Sequence, residues 1–292
     1  MLIKRTTSEN IFNLFNILLM IILAMITLYP FLYVVFASFS KPSLLMQQRD
    51  ILLWPKGFNL GAYKAVFDYK TIWISYRNTI FYLIAGTAIN MILTCLGAYG
   101  LSRKNVLFSK AIMLLITFTM FFSGGLIPTY LLVKNLGMLN TVCAIIIPNA
   151  ISTMNLIIMR TSFKAIPESL DESARMDGAN DFTILFKIII PLSIPVISVI
   201  TLYYSVAHWN AWFNAMIYLR NRNLYPLQLV LREILISQDI DDILAGAVEE
   251  AEPIAETIKY AIIVVATVPI LLVYPFLQKY FVKGVMVGAL KG

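Results

Sequence analysis

The sequence predicts an all-α integral membrane protein of six transmembrane helices with both termini cytoplasmic. Composition gives the class: the chain is 59% hydrophobic and 13% charged, against about a quarter charged in an ordinary soluble domain. Six stretches, 11–40, 78–102, 111–133, 135–159, 188–219 and 260–278, contain no Asp, Glu, Lys or Arg. Each reaches or exceeds the roughly 19–20 residues that cross about 30 Å of hydrocarbon as a helix. In lipid the backbone must satisfy its own hydrogen bonds, so these runs read as helices.

The first run follows Lys4 and Arg5 but is far longer than a signal-peptide core, and no small-x-small site closes it, so it reads as an uncleaved helix. The segment 41–77 carries Trp54, Pro55, Phe58, Tyr63 and Phe67, which suit a short helix lying at the surface. After the second run comes a short turn, 103–110, with Arg103, Lys104, Lys110 and no acid. Such turns stay cytoplasmic. About half of the 23 basic residues fall on each side, so the raw count leaves orientation open and the short turn favours both termini inside. Prolines 30, 128, 148, 191, 195, 269 and 275 punctuate the runs and imply kinked helices packed around a pathway. Cys95 and Cys143 lie inside apolar runs and read as small hydrophobes; neither a metal spacing nor a disulfide framework follows from them. The formal charge of +7 is scattered in small clusters, which argues against nucleic acid.

The loop between the fourth and fifth runs, about thirty residues from Arg160 to Lys187, is unusually polar. Pro167 suits a first helical turn, and Glu168, Asp171 and Glu172 then complement the helix dipole. Gly178 sits where a left-handed residue would end that helix. Asn180 or Asp181 can cap a second helix running through Phe182, Leu185, Phe186 and Ile189 into the membrane. The expected form is an L-shaped protrusion. On these residues alone, an ordinary solvated loop with a helical turn fits equally well.

The spacing Glu172-x-Ala174-x3-Gly178-x9-Ile188-x-x-Pro191 resembles the EAA loop of permease subunits of binding-protein-dependent ABC importers. Ser173 and Ile190 are mild departures. Asn78 with Ala98-Tyr99-Gly100-Leu101-Ser102-Arg103, Trp209-Asn210 with Tyr225-Pro226-Leu227-Gln228, and the tail from Gln278 through Gly284 to Gly292 are similar to the carbohydrate-importing branch. Within it the likeness is to the maltose-type second permease and to oligosaccharide permeases of low-GC Gram-positive bacteria. The resemblance implies a type I importer fold in the plasma membrane of a bacterium. It divides the chain into residues 1–73, a first helix and outer loop; 74–283, the five-helix transporter domain with its cytoplasmic loop at 160–191; and a tail at 284–292. It implies a coupling role for Glu168, Asp171, Glu172, Ala174, Asp177 and Gly178, with Gly178 allowing close backbone approach at the bend. The implied partners are a homologous second permease, an ABC ATPase dimer that binds ATP and magnesium, an extracellular substrate-binding lipoprotein, membrane lipid and a carbohydrate. The chain itself would hold no cofactor and no metal.

Apart from His208, the polar residues of the apolar runs are uncharged, and no Walker A phosphate loop occurs anywhere. Both absences point to energy supplied by a partner. Asn90, Asn155, Tyr203, Tyr204, His208, Trp209, Asn210 and Asn214 suit a sugar pathway, their rings facing pyranoses and their amides bonding hydroxyls. An interfacial aromatic belt with helix-packing contacts explains the same residues. The outer loop 220–259 carries Asp239, Asp241 and Asp242 and four further acids in its latter part; these fit either a docking surface for the binding protein or a solvated face. A permease for a polyamine or phosphonate, a secondary transporter and an intramembrane enzyme remain alternatives. No catalytic constellation supports the last.

Overall fold

A computed structural model describes residues 7–47, 50–104, 106–237 and 256–272. The described residues are predominantly helical, with one isolated antiparallel bridge, Ser40 to Phe58. They group into two compact units: residues up to Tyr69 with those of Glu233–Val268, and a second built on Lys70–Arg232.

In the first unit, α1 (Thr7–Ser38) is apolar on all sides, and none of its most apolar window is buried within the chain. A helix of that kind is solvated by lipid or by another chain rather than by water. Pro30 sits inside it without ending it. The loop beyond is fastened to its end. Ser40 Oγ accepts from Lys56 N at 3.0 Å, Tyr29 Oη accepts from Leu52 N at 3.1 Å, and Phe39 stacks on Phe58 and Tyr63. Two short helices follow, α2 (Pro42–Met46) and α3 (Gly61–Asp68). The latter is the short helix expected in this loop; it buries Ala62 and Val66.

The second unit is organised by α4 (Lys70–Ser102), which starts eight residues before its charge-free run and packs against α8 and α12. The next two apolar runs are broken rather than continuous. The third forms α5 (Ser109–Phe118) and α6 (Leu126–Asn135), separated by a non-helical stretch that ends at Gly125 with φ +86°. The fourth forms α7 (Cys143–Ile146) and α8 (Thr153–Lys164), interrupted around Pro148. The breaks expose backbone groups that need partners. α4 supplies them. Asn90 Nδ2 donates to Asn149 O and Ala150 O at 3.0 and 2.7 Å, and Asn78 Nδ2 donates to Asn223 O and Tyr225 O at 2.7 and 3.1 Å. Tyr82 Oη donates to Leu224 O, and Thr79 Oγ1 accepts from Leu227 N, each at 2.8 Å.

The polar loop forms α9 (Glu168–Met176) and α10 (Asp181–Ile184). A π-helical turn (Leu185–Ile189) and α11 (Ile190–Leu192) follow. Pro191 has no N–H for a carbonyl four residues back, and the wider winding just before it pairs Ile190 N with Leu185 O instead. At Ser193 the chain turns by 87° into α12 (Ile194–Trp209). The second helix therefore does not run straight into the apolar run, as expected; it ends at an elbow between Pro191 and Pro195. After α12 come α13 (Phe213–Tyr218), a 3₁₀ turn (Arg222–Leu224) and α14 (Leu227–Ser237). The residues 256–272 form a further helix.

Candidate functional site

The geometry around α9 follows from its caps. Gly178 at φ +81° ends the helix with Ala179 N bonded to Ala174 O and Gly178 N to Arg175 O, a Schellman closure. A Cβ at Gly178 would meet nothing within 4 Å. The glycine is thus required by its left-handed backbone, and the close approach expected there is absent. Asn180 Oδ1 accepts from Thr183 N at 2.8 Å, so Asn180 is the cap of α10.

One face of α9 is tied to the end of α4. Asp171, with a side chain 14% exposed, is ion-paired with Arg103 Nη1 at 3.0 Å and accepts a hydrogen bond from Arg175 Nε at 3.3 Å. Arg175 Nη2 reaches Asp181 Oδ1 at 2.5 Å, and the Tyr99 hydroxyl donates to the same oxygen at 3.4 Å. The Arg103 guanidinium lies 4.1 Å over the Tyr99 ring, and Lys104 pairs with Glu168. Its hydrogen bond to Glu168, and then that charge, raise the Lys104 pKa above the usual lysine value. Hydrogen bonds to Asp181 and Asp171 raise that of Arg175. Arg160 Nε donates to Leu101 O at 2.7 Å, securing the last turn of α4. Beneath the charges, Ala174 joins Phe163, Ile184, Leu185 and Ile189 in one apolar cluster. The opposite face of α9, with Ser169, Glu172, Ser173 and Met176, is exposed, as are Leu170, Phe182 and Phe186.

A cavity of about 560 Å³ lies between α8, α12 and α13. Asn155, Tyr203, Tyr204, His208 and Asn214 line it; Asn90, Trp209 and Asn210 do not. Asn90 is fully buried behind the wall. Both its amide hydrogens go to carbonyls, so its Oδ1 faces His208 and the imidazole holds its hydrogen on Nε2, 2.6 Å away. Tyr204 Oη accepts from Ser152 N at 3.0 Å and bonds Thr94 Oγ1 at 2.8 Å. Trp209 is 7% exposed, and its Nε1 has no partner among the described residues. Asn210 Nδ2 donates to Val206 O, one turn back along its own helix. Asp239, Asp241 and Asp242 lie outside the described residues.

Three functional features carry little or no local signal in the sequence. Tyr99, Arg103 and Lys104 carry the clamp on α9, but nothing local in the sequence pairs Arg103 with an acid 68 positions away. Asn149, whose signal was only a polar residue after Pro148, also lines the cavity. Gly86 permits the α4–α12 crossing, since a Cβ there would overlap the His208 ring.

Interrupted membrane helices, like those of the third and fourth apolar runs, recur in transport proteins. The chain belongs to the family of binding-protein-dependent transport system inner membrane components, whose model matches residues 94–287. It is a transport subunit of an ABC importer and not an enzyme. It is 44% identical to the polygalacturonan/rhamnogalacturonan transport system permease protein YtcP of Bacillus subtilis, over 96% of this chain and 99% of that one. Protein LplC of the same organism is 42% identical, over 98% and 97%. The crystal structure of a bacterial ABC transporter involved in the import of the acidic polysaccharide alginate contains a chain that superposes with a TM-score of 0.91 at 38% identity, covering 95% of this chain and 99% of that one.

Proposed function

We propose that this chain is one of two homologous permeases that together carry an oligosaccharide across a bacterial plasma membrane by alternating access. It crosses the membrane six times with both termini in the cytoplasm. Its partners are the second permease, a pair of ATPase subunits that bind ATP and magnesium, and an extracellular binding protein met by Asp239, Asp241 and Asp242. No cofactor is held here. The sugar reading is supported by the polysaccharide cargoes of relatives that align over nearly the whole chain, polygalacturonan/rhamnogalacturonan and alginate. The uncovered apolar surface of α1 supports a second membrane chain beside it.

The observation that carries the coupling role is the two-sidedness of α9. One face is ion-paired to α4 through Asp171 and Glu168, while Glu172 and Met176 on the other face stand free of the chain. A rigid helix presenting a mixed polar and apolar face is suited to receive an ATPase and to pass its movement to α4. Ala174 seats the helix on its apolar cluster, and Asp177 with Gly178 sets where it ends. Glu172→Lys reverses a charge on the exposed face and leaves both partners of every clamp ion pair in place, changing only the weaker charge that Lys104 feels from Glu172. The complex is expected to reach the membrane, to lose copurifying ATPase and to lose sugar uptake. Uptake at the wild-type rate with the ATPase still bound would refute the assignment.

A further inference from the structure

The cavity between α8, α12 and α13 is walled by uncharged side chains: among the described residues no Asp, Glu, Lys or Arg lines it. Three of its amides, Asn149, Asn155 and Asn214, form no side-chain hydrogen bond with the described residues. This contrasts with Asn90 immediately behind, whose amide is fully used. Asn155 is 7% exposed. Its amide opens on the cavity, so its donors and acceptor are available to a molecule that enters. The volume, about 560 Å³, is in the range of small-molecule sites.

The amides do not surround the cavity evenly. Ser152 is the N-cap of α8, Asn155 is its third helical residue, and both line the cavity with Ile151. The first turn of a twelve-residue helix therefore forms part of the wall, and its end of the macrodipole is positive. In membrane transporters such interrupted helices turn their N-termini toward anionic groups. A site with a helix N-terminus, a free amide beside it and no acid accepts a carboxylate. Hydroxyls on the same molecule can be met by Asn149 and Asn214.

We propose that this cavity is a saccharide subsite on this chain, and that it seats the carboxylate of an acidic sugar unit at the first turn of α8, against Asn155. The proposal rests on the reading of the chain as an oligosaccharide permease and deepens it. The site takes uronate-bearing oligosaccharides, and this subunit, not only its partner permease, contacts them.

The discriminating variant is Asn155→Asp. It is nearly isosteric, and an acid at the third position after a serine cap favours the helix; copurification of the permease with its ATPase reports whether the variant assembles. Against a carboxylate ligand it places like charge on like charge. Cells carrying the complete transporter and its binding protein are given labelled trigalacturonate, and separately labelled galactotriose as the uncharged counterpart. The wild type is expected to import trigalacturonate. Asn155→Asp should lower that uptake by about tenfold or more, while Asn155→Ala lowers it far less, with permease–ATPase copurification unchanged in both. Equal uptake by the two variants overturns the proposal, as does import of galactotriose alone by the wild type. The second outcome leaves the oligosaccharide permease standing. Import of neither sugar by the wild type tells against the sugar reading itself.

Discussion

At the elbow, the charged side chains facing α4 meet opposite charges: Asp171 is held by Arg103 and Arg175, Asp181 by Arg175 and Tyr99, and Glu168 by Lys104. Along the cavity, Asn149, Asn155 and Asn214 leave their amides unbonded by the described residues. Both regions belong to the unit built on Lys70–Arg232, and under the proposed function the difference is one of task. A joint that transmits force must keep its geometry whether or not cargo is present, and internal ion pairs keep it. A passage must leave bonding capacity for a visitor that arrives and departs. Charge serves the first; in the second, neutral amides avoid binding so firm that release fails.

The contrast breaks most readily at Asp171. Asp171→Ala strips Arg103 and Arg175 of their shared partner, and loss of a partly buried, charge-assisted pair costs about 1–3 kcal/mol. Thermal unfolding of the purified complex should show that loss. Uptake should fall more steeply than ATP hydrolysis, because α9 then moves without α4. The exchange Arg103→Asp with Asp171→Arg is expected to restore part of both, and failure of every exchange to do so would mean that the pair does not act through its charge.

Asn214→Leu probes the other side. With no internal bond to lose, stability should change by no more than about 0.5 kcal/mol, while sugar uptake drops severalfold. If the melting temperature falls as far as for Asp171→Ala, Asn214 is a structural residue and the contrast collapses. The smallest effect belongs to pH. Lys104 gains its partner on folding, so its contribution is complete below the ordinary lysine value of 10.5 and is lost only as pH rises through the raised one. Stability measured from pH 6 to 9 should carry no transition from Lys104–Glu168, and one should emerge only above about 10.5.

The sequence made the local structure at the elbow legible because caps are local. Gly178 and Asn180 each act on neighbours within a few residues, and both sit where their chemistry demands. The family spacing likewise lies within one loop. The clamp was illegible because Arg103, which reads as an orientation charge, meets Asp171 only once α4 and α9 are folded together. Hydropathy could not reveal where the third, fourth and fifth runs break; in the fourth, the backbone after Pro148 is met by a residue elsewhere, Asn90, much as Asn78 meets the turn at Asn223 beyond the fifth run. Of the polar residues expected along a pathway, residue type alone could not separate Asn90, used inside the wall, from Asn155, facing the cavity.

Gly86 bears on how such a molecule can move. Its missing side chain leaves a notch that the His208 ring fills. One helical turn, about 5.4 Å, is the natural step by which one helix ratchets past another. A step of that size would bring the ring level with Tyr82 or Asn90, both of which are larger and already bonded. α4 and α12 are thereby keyed together like a shaft and its collar. A one-turn slide between them is blocked, so in the proposed transport cycle they swing as a single lever and the sliding surfaces lie elsewhere.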